Sequence, residues 1–281
     1  MWNKQENHSS TSVEPPMTLL VRPREVPAPP TFSPPHPQNS RSPLLLSTIL
    51  NHQTTEAQSN KMAPITLYFL QSSRSIRTAW LLEELSLDYD LKFFDRQTNY
   101  LASKEARAAV GTPMGKFPTI KDGDEVIMES GAITQYLCEK YDKSARLIPS
   151  DPASRIKVLE WMHAAEATFM LHSLAIVYAR WNYLKEAPPE GLAQMETGMS
   201  RNVENDFRWI EGELEKNPGG FLVGKEITAA DIMMDFSVRF TLEMELGTKK
   251  GQWPKTEEWL KRCEECETYK KAVEKTGHRY S

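Results

Sequence analysis

Apolar positions change rhythm twice along the chain. Up to about residue 61 they are sparse and without period. From Ile65 they fall into short runs of strand length, mixed with one clear helical stretch. Ile65-Thr66-Leu67-Tyr68-Phe69-Leu70 has the β-rich composition and length of a buried strand. Gln71-Ser72-Ser73-Arg74-Ser75 breaks it. Ile76, Ala79, Trp80, Leu82 and Leu85 then step by three and four, which predicts a helix starting near Ser75, its expected N-cap. Tyr89, Leu91, Phe93 and Phe94 predict a second strand, and a short helix fits within 99–109. Gly115 to Ile120 leads into a strand, Asp122-Gly123 is a tight-turn signal, and Val126-Ile127-Met128 is the returning strand. Glu129-Ser130, ahead of Ile133, Tyr136 and Leu137, has the acidic and hydroxyl groups of a helix start.

Beyond the proline-bearing linker Leu147-Ile148-Pro149-Ser150-Asp151-Pro152, strand-like alternation stops. Residues 153–184 form one long helical stretch, stopped by Pro188-Pro189, and 192–215 form a second that ends at Asn217-Pro218-Gly219-Gly220. Thr228-Ala229-Ala230-Asp231 reads as a capping box, with Asp for the usual Glu, before a helix over 232–245. Trp253-Pro254 opens a helix over 255–267, and a short one ends near Lys275. The pattern predicts an α/β domain over 62–146 and an all-α domain over 153–281.

Residues 1–61 change the picture only at its edge. They hold ten of the 19 prolines among Ser, Thr, Asn and Gln. Such a segment buries too little apolar surface to offset its ordering entropy, so it is expected to be a disordered leader. Leu44-Leu45-Leu46 with Ile49-Leu50 is its one apolar cluster, suited to a transient helix or a docking segment. Arg22, Arg24 and Arg41 raise a transit peptide, but Glu6, Glu14, Glu25 and the prolines oppose it. Met62 is an alternative functional start. Net charge is -4 with no basic stripe, so nucleic acid is not an expected partner. No apolar run reaches membrane-spanning length. Three cysteines are too few for a disulfide framework and fit a reducing, cytoplasmic setting. No metal is expected. Cys263-Glu264-Glu265-Cys266 has CxxC spacing but no second pair or nearby histidine, and it lies in a helical pattern.

Phe117-Pro118-Thr119-Ile120, the hairpin and Glu129-Ser130-Gly131-Ala132-Ile133 together resemble the glutathione-binding half of the glutathione S-transferase family. Ser73 to Leu85 and Glu160 to Glu166 look most like the fungal and bacterial branch related to the yeast type-one enzyme, and Gly224 to Asp231 resembles the family's capping segment. The resemblance covers about 62–275. It implies a thioredoxin-like N-terminal domain, a helical C-terminal domain and a homodimer. It also implies glutathione as co-substrate, conjugated to hydrophobic electrophiles in detoxification. By the same resemblance Pro118 is cis, Phe117 pairs through its backbone with the cysteinyl part of glutathione, Glu129 and Ser130 hold its γ-glutamyl end, and Lys116 meets its glycyl carboxylate. The bland readings are a capped helix after a hairpin and a solvated lysine.

A free thiol has a pKa of about 8.5 and is mostly protonated at neutral pH. A donating hydroxyl and a helix N-terminus both favour the thiolate. Ser73 stands four residues before Arg77, the spacing of serine-type relatives, and is the candidate catalytic residue; as a loop hydroxyl it has a structural role instead. Ser72, Ser75 and Tyr68 are alternatives. His163 and Glu166, three residues apart on a helix, are expected to make interdomain hydrogen bonds rather than catalyse. Two other readings compete. One is a glutathione-dependent isomerase, against which Arg74 replaces the cysteine of that family's Ser-Ser-Cys-Ser turn. The other is a non-catalytic interaction module. The electrophile is not legible, because its pocket lies in the variable helical domain.

Overall fold

The computed structural model describes residues 64–280. The leader reading over 1–61 and the Met62 start therefore lie outside the described residues.

Strand β1 (Ile65–Leu70) is buried at alternate positions and over its last two residues. It pairs in parallel with β2 (Tyr89–Phe94) through helix α1 (Ser75–Glu84), a βαβ unit. Helix α2 (Lys104–Ala109) follows, capped by the Ser103 hydroxyl, which accepts from Ala106 N–H at 3.0 Å. A hairpin of β3 (Thr119–Asp122) and β4 (Glu125–Met128) completes a mixed sheet in the order β2-β1-β3-β4. Its turn is Gly123-Asp124, one residue later than the sequence pattern predicts. Gly123 takes φ 64, a conformation that glycine adopts without a Cβ penalty.

The hairpin is fixed to α3 (Ser130–Tyr141) by one carboxylate. Asp122 Oδ2 accepts from Tyr136 Oη at 2.9 Å, Lys140 Nζ at 2.7 Å and Tyr141 Oη at 2.7 Å. Burial pushes this carboxyl up, but those three donors outweigh it and hold it below the usual carboxylate range.

The second half is helical: α4 (Pro152–Ala164), α5 (Leu171–Asn182), α6 (Pro189–Lys216), α7 (Ala229–Glu243), α8 (Pro254–Glu265) and α9 (Glu267–Thr276). Asp151 caps α4, with Pro152 at its first turn. The predicted stretch 153–184 is continuous in helical sense, but a π-helical turn over Ala165–Met170 separates α4 from α5. The predicted capping box is present: Asp231 Oδ2 accepts from Thr228 N–H at 2.9 Å. Asp231 Oδ1 also accepts from Leu222 N–H and Trp259 Nε1, both at 2.9 Å. A fully buried carboxylate thereby ties the loop, the helix start and α8 together.

The halves share one core. Trp80 on α1 meets Tyr269 on α9 edge to face at 4.9 Å and donates to Thr268 Oγ1 at 3.1 Å. Buried residues run without interruption from Ile65 and Phe69 through Trp161 and Phe169 to Phe236 and Trp259. All described residues fall in one compact unit.

Candidate functional site

The strand register brings three loops to one end of the sheet. Thr119, the first residue of β3, pairs with Tyr68 near the end of β1 and with Met128, the last of β4. The turn Gln71–Arg74, the Phe117-Pro118 pair and the Glu129-Ser130 helix start therefore converge. The Phe117–Pro118 peptide is cis. Phe117 precedes the strand, its backbone makes no hydrogen bond among the described residues, and its ring tilts onto Phe94 at 5.6 Å. A donor and an acceptor are thus left free at the end of the sheet, just before the interior strand β3, where an extended ligand backbone can pair.

Lys116 is exposed. The bend before it depends on Gly115, at φ 53, where an added Cβ would fall 2.8 Å from Arg107 Cβ and 2.9 Å from Arg107 O. Glu129 is exposed and sits at φ 70, ψ 114, which only a surrounding structure that fixes it sustains. Ser130 opens α3 and is buried. An exposed carboxylate beside free helix N–H groups offers complementary partners to a ligand that carries both an ammonium and a carboxylate.

The hydroxyls of the β1–α1 turn are arranged differently from the sequence expectation. Ser75 is the first residue of α1 rather than its cap, and its Oγ accepts from Leu70 N–H at 3.2 Å. Ser73 does the capping: its Oγ accepts from Ser75 N–H at 3.1 Å. The Ser73 hydroxyl is buried, 2.6 Å from Leu70 O and 2.9 Å from Ser75 Oγ, so its one proton points inward. Ser72 is half-buried at φ 52, and its hydroxyl makes no hydrogen bond among the described residues. Both of its peptide groups are pinned. Its N–H donates to Gln71 Oε1 at 2.8 Å, and its carbonyl accepts from Arg96 Nη2 at 2.9 Å and Nε at 3.2 Å.

Arg77, in the sequence only a spacing marker, joins both halves of the chain. It is fully buried and donates to Ser130 Oγ at 3.0 Å, to Ser237 Oγ on α7 at 2.6 Å, and to Glu166. Glu166 also accepts from Arg74 Nε at 2.7 Å. Burial pushes the Arg77 pKa down, with Glu166 offsetting part of the effect. Burial also pushes Glu166 up, but Arg77 and Arg74 outweigh it and hold its carboxyl low. The interdomain role expected for Glu166 is present. His163 is exposed and does not share it. Tyr100 and Trp181 lie nearby with rings 6.3 Å apart and 16° from parallel, both half-exposed. Arg96 links them to the turn by donating to Tyr100 O at 2.5 Å.

Cys263 is fully buried, and burial holds its thiol well above the ordinary range; Cys266 is pushed up to about 11 for the same reason. Neither favours a thiolate at neutral pH. Among the described residues no group of His, Cys, Asp and Glu is placed to hold a metal. No described helix is long and apolar enough to cross a membrane.

The family profile described as "Glutathione S-transferase, N-terminal domain" matches residues 67–145, and that for the C-terminal domain matches 162–267. Glutathione S-transferase 1 of Saccharomyces cerevisiae is 27% identical over 227 residues, which cover 75% of this chain and 94% of the yeast protein. A crystal structure of a glutathione S-transferase from Actinobacillus pleuropneumoniae is 30% identical, with a TM-score of 0.66, over 77% of this chain and 94% of that one. A glutathione transferase homologue from Lodderomyces elongisporus, crystallised with two glutathione molecules per subunit, is 26% identical with a TM-score of 0.61, covering 76% and 99%. Two successive domain profiles and near-complete coverage of such relatives give one conclusion: this chain belongs to the glutathione S-transferase family.

Proposed function

We propose that this protein binds glutathione at the sheet end and transfers its thiolate to hydrophobic electrophiles. The observation that carries the reading is the convergence of three features: the free Phe117 backbone beside cis-Pro118, the Glu129-Ser130 helix start and the Ser72-Ser73 turn. Glutathione is an extended tripeptide-like molecule with a charged group at each end and a thiol between. In this reading Phe117 pairs with its cysteinyl backbone. Glu129 takes the ammonium, and Ser130 with the α3 N-terminus takes the adjacent carboxylate. Lys116 meets the glycyl carboxylate.

The sulfur then sits at the turn, at the positive end of α1. Ser72 donates to it without rearrangement. Ser73 does so only after leaving Leu70 O, so Ser72 is the first candidate donor and Ser73 the second. The thiol proton passes to solvent. The thiolate forms a sulfur–carbon bond, and the electrophile either releases its leaving group or takes up a proton. We place this activity in the cytoplasm, as a homodimer acting in detoxification, in keeping with three free cysteines and the family. A monomeric mass by light scattering would exclude the dimer.

The inward Ser73 hydroxyl favours a second reading, a glutathione-binding module without turnover. Retention on immobilised glutathione followed by turnover with an aryl halide separates the two. Retention with turnover supports the transferase, retention alone supports the module, and neither excludes both. Ser72→Ala and Ser73→Ala then assign the donor. The variant whose bound thiol titrates higher, and whose activity loss shrinks as pH rises, has lost the hydroxyl that faces the sulfur.

A further inference from the structure

The segment Gly277–Tyr280 is far from the sulfur-binding turn in sequence but tied to it in space. The link is Gln71, fully buried at the end of β1. Its side-chain amide uses both ends. Nε2 donates to Gly277 O at 2.7 Å, and Oε1 accepts from Arg279 N–H at 3.1 Å and from Ser72 N–H at 2.8 Å. One planar group therefore fixes both the C-terminal segment and the residue at φ 52 that opens the turn.

The segment is itself anchored. Gly277 ends α9 in the left-handed conformation, at φ 58, which turns the chain back toward the sheet. His278 is buried between Phe69, Phe236 and Tyr280, with ring centroids 6.2, 6.3 and 4.7 Å away. Both of its ring nitrogens lack a hydrogen-bond partner among the described residues, so the imidazole is held by ring packing alone. Tyr280 stacks on Phe236 at 5.8 Å, and the Arg77 guanidinium lies over the same ring at 5.5 Å. The segment thus reaches the turn by Gln71 and the buried arginine by Phe236.

We propose that Gly277–Tyr280 is a positioning element for the sulfur-binding turn, acting through the Gln71 amide. The proposal rests on the glutathione reading for its chemical consequence, but not for its structural one. With the segment docked, Gln71 Oε1 holds the Ser72 N–H while Arg96 holds the Ser72 carbonyl, so the Ser72 hydroxyl has a fixed origin. Without it, the Gln71 amide loses two of its three partners and is free to rotate, and Ser72 loses one of the two groups that hold its peptide units. A loosened donor favours the thiolate less, while the Glu129 and Lys116 ends of the site are untouched.

The test compares the wild type with a chain ending at Thr276, with Gln71→Leu, and with both changes combined. Hydrogen exchange of the Ser72–Ile76 amides reads positioning directly, without glutathione. It should speed up at least tenfold in each variant. The bound thiol, read by thiolate absorbance, should titrate about one pH unit higher, with about tenfold lower turnover near neutral pH and a glutathione Kd within about twofold. The combined variant should match either single one, because both changes cut the same path. If the shortened chain does not fold, Gln71→Leu alone carries both measurements. Unchanged exchange and thiol titration overturn the inference, as does additive loss in the combined variant. Faster exchange with no thiolate signal even in the wild type leaves the positioning role standing and overturns the glutathione reading instead.

Discussion

Glu166→Gln tests whether a single carboxylate holds the two halves of the chain in register. The Arg77 side chain has 0% exposure, and Glu166 and two serine hydroxyls are its side-chain partners. Its Nε already lacks a partner among the described residues. Replacing the carboxylate by an amide keeps the shape and one acceptor oxygen but leaves a buried guanidinium beside Arg74 with no counter-charge. Breaking a fully buried pair costs about 3–5 kcal/mol. The Glu166 side chain is 36% exposed, so solvent screens part of the loss and the expected figure falls to about 1–3 kcal/mol. In a unit of this size that lowers Tm by about 3–10 °C.

The assay is urea unfolding of the wild type, Glu166→Gln and Arg74→Gln at about pH 7 and about pH 4. Arg74 is partly exposed and keeps water when unpaired, so Arg74→Gln should lose less than about 1 kcal/mol. The Glu166 carboxyl is depressed in the fold. Its contribution is therefore full above the ordinary carboxylate pKa and lost as pH falls through the lower folded value. The gap between wild type and Glu166→Gln should narrow at the acid end. Because Arg77 also donates to Ser130, the variant should bind glutathione several-fold more weakly. Equal losses from Glu166→Gln and Arg74→Gln, or a gap that does not change with pH, would refute the account of Arg77 as a buried charge waiting on one partner.

Four further outcomes are expected. Glu129→Gln and Ser130→Ala should each weaken glutathione binding by about 1–3 kcal/mol in calorimetry, with turnover at saturating glutathione largely kept, since they act at the end remote from sulfur. Asp122→Asn removes the charge that three donors share and should cost about 1–3 kcal/mol in urea unfolding, the lower end reflecting the 38% exposure of Lys140. For His278, burial, with Arg239 and Arg279 adding to it, lowers the pKa to about 3; Arg239 is paired with Asp235. The folded value lies below the unfolded one, so stability is full above about pH 6.5 and lost as pH falls; the loss is about 2 kcal/mol by about pH 5, and His278→Leu should flatten that limb. A chain starting at Met62 should keep the Tm and turnover of the full chain, and a substantial loss of either would give the leader a role in the fold.

Most of the element order was readable from hydrophobic spacing because each element has a one-sided burial pattern. Leu67 and Phe69 in β1, or Ile133 and Leu137 in α3, are buried at the predicted steps. The register of the hairpin slipped by one residue because Asp122 is bound to α3 side chains and stays in the strand. The π-turn over Ala165–Met170 left no mark in the pattern, since its effect is to rotate later residues rather than to change their composition.

The site divides along the same line. Local chemistry is visible in sequence, whereas contacts made across long separations are not. Phe117-Pro118 and Glu129-Ser130 are contiguous pairs whose geometry is set by the hairpin they flank, so the family motif and the structure meet on them. Ser73 is also local, yet spacing alone does not say which way a hydroxyl turns, and here Leu70 O and the α1 N-terminus compete for it. In the sequence Arg77 only marks a spacing and Gln71 only belongs to the break after the first strand. Each is buried because partners from the helical half arrive there: Glu166 and Ser237 for one, Gly277 and Arg279 for the other. Burying a guanidinium and a primary amide without partners would cost several kcal/mol each. The β1–α1 turn therefore holds its shape with the helical half folded against it, and the geometry of the proposed glutathione site is a property of the whole described unit rather than of the α/β half.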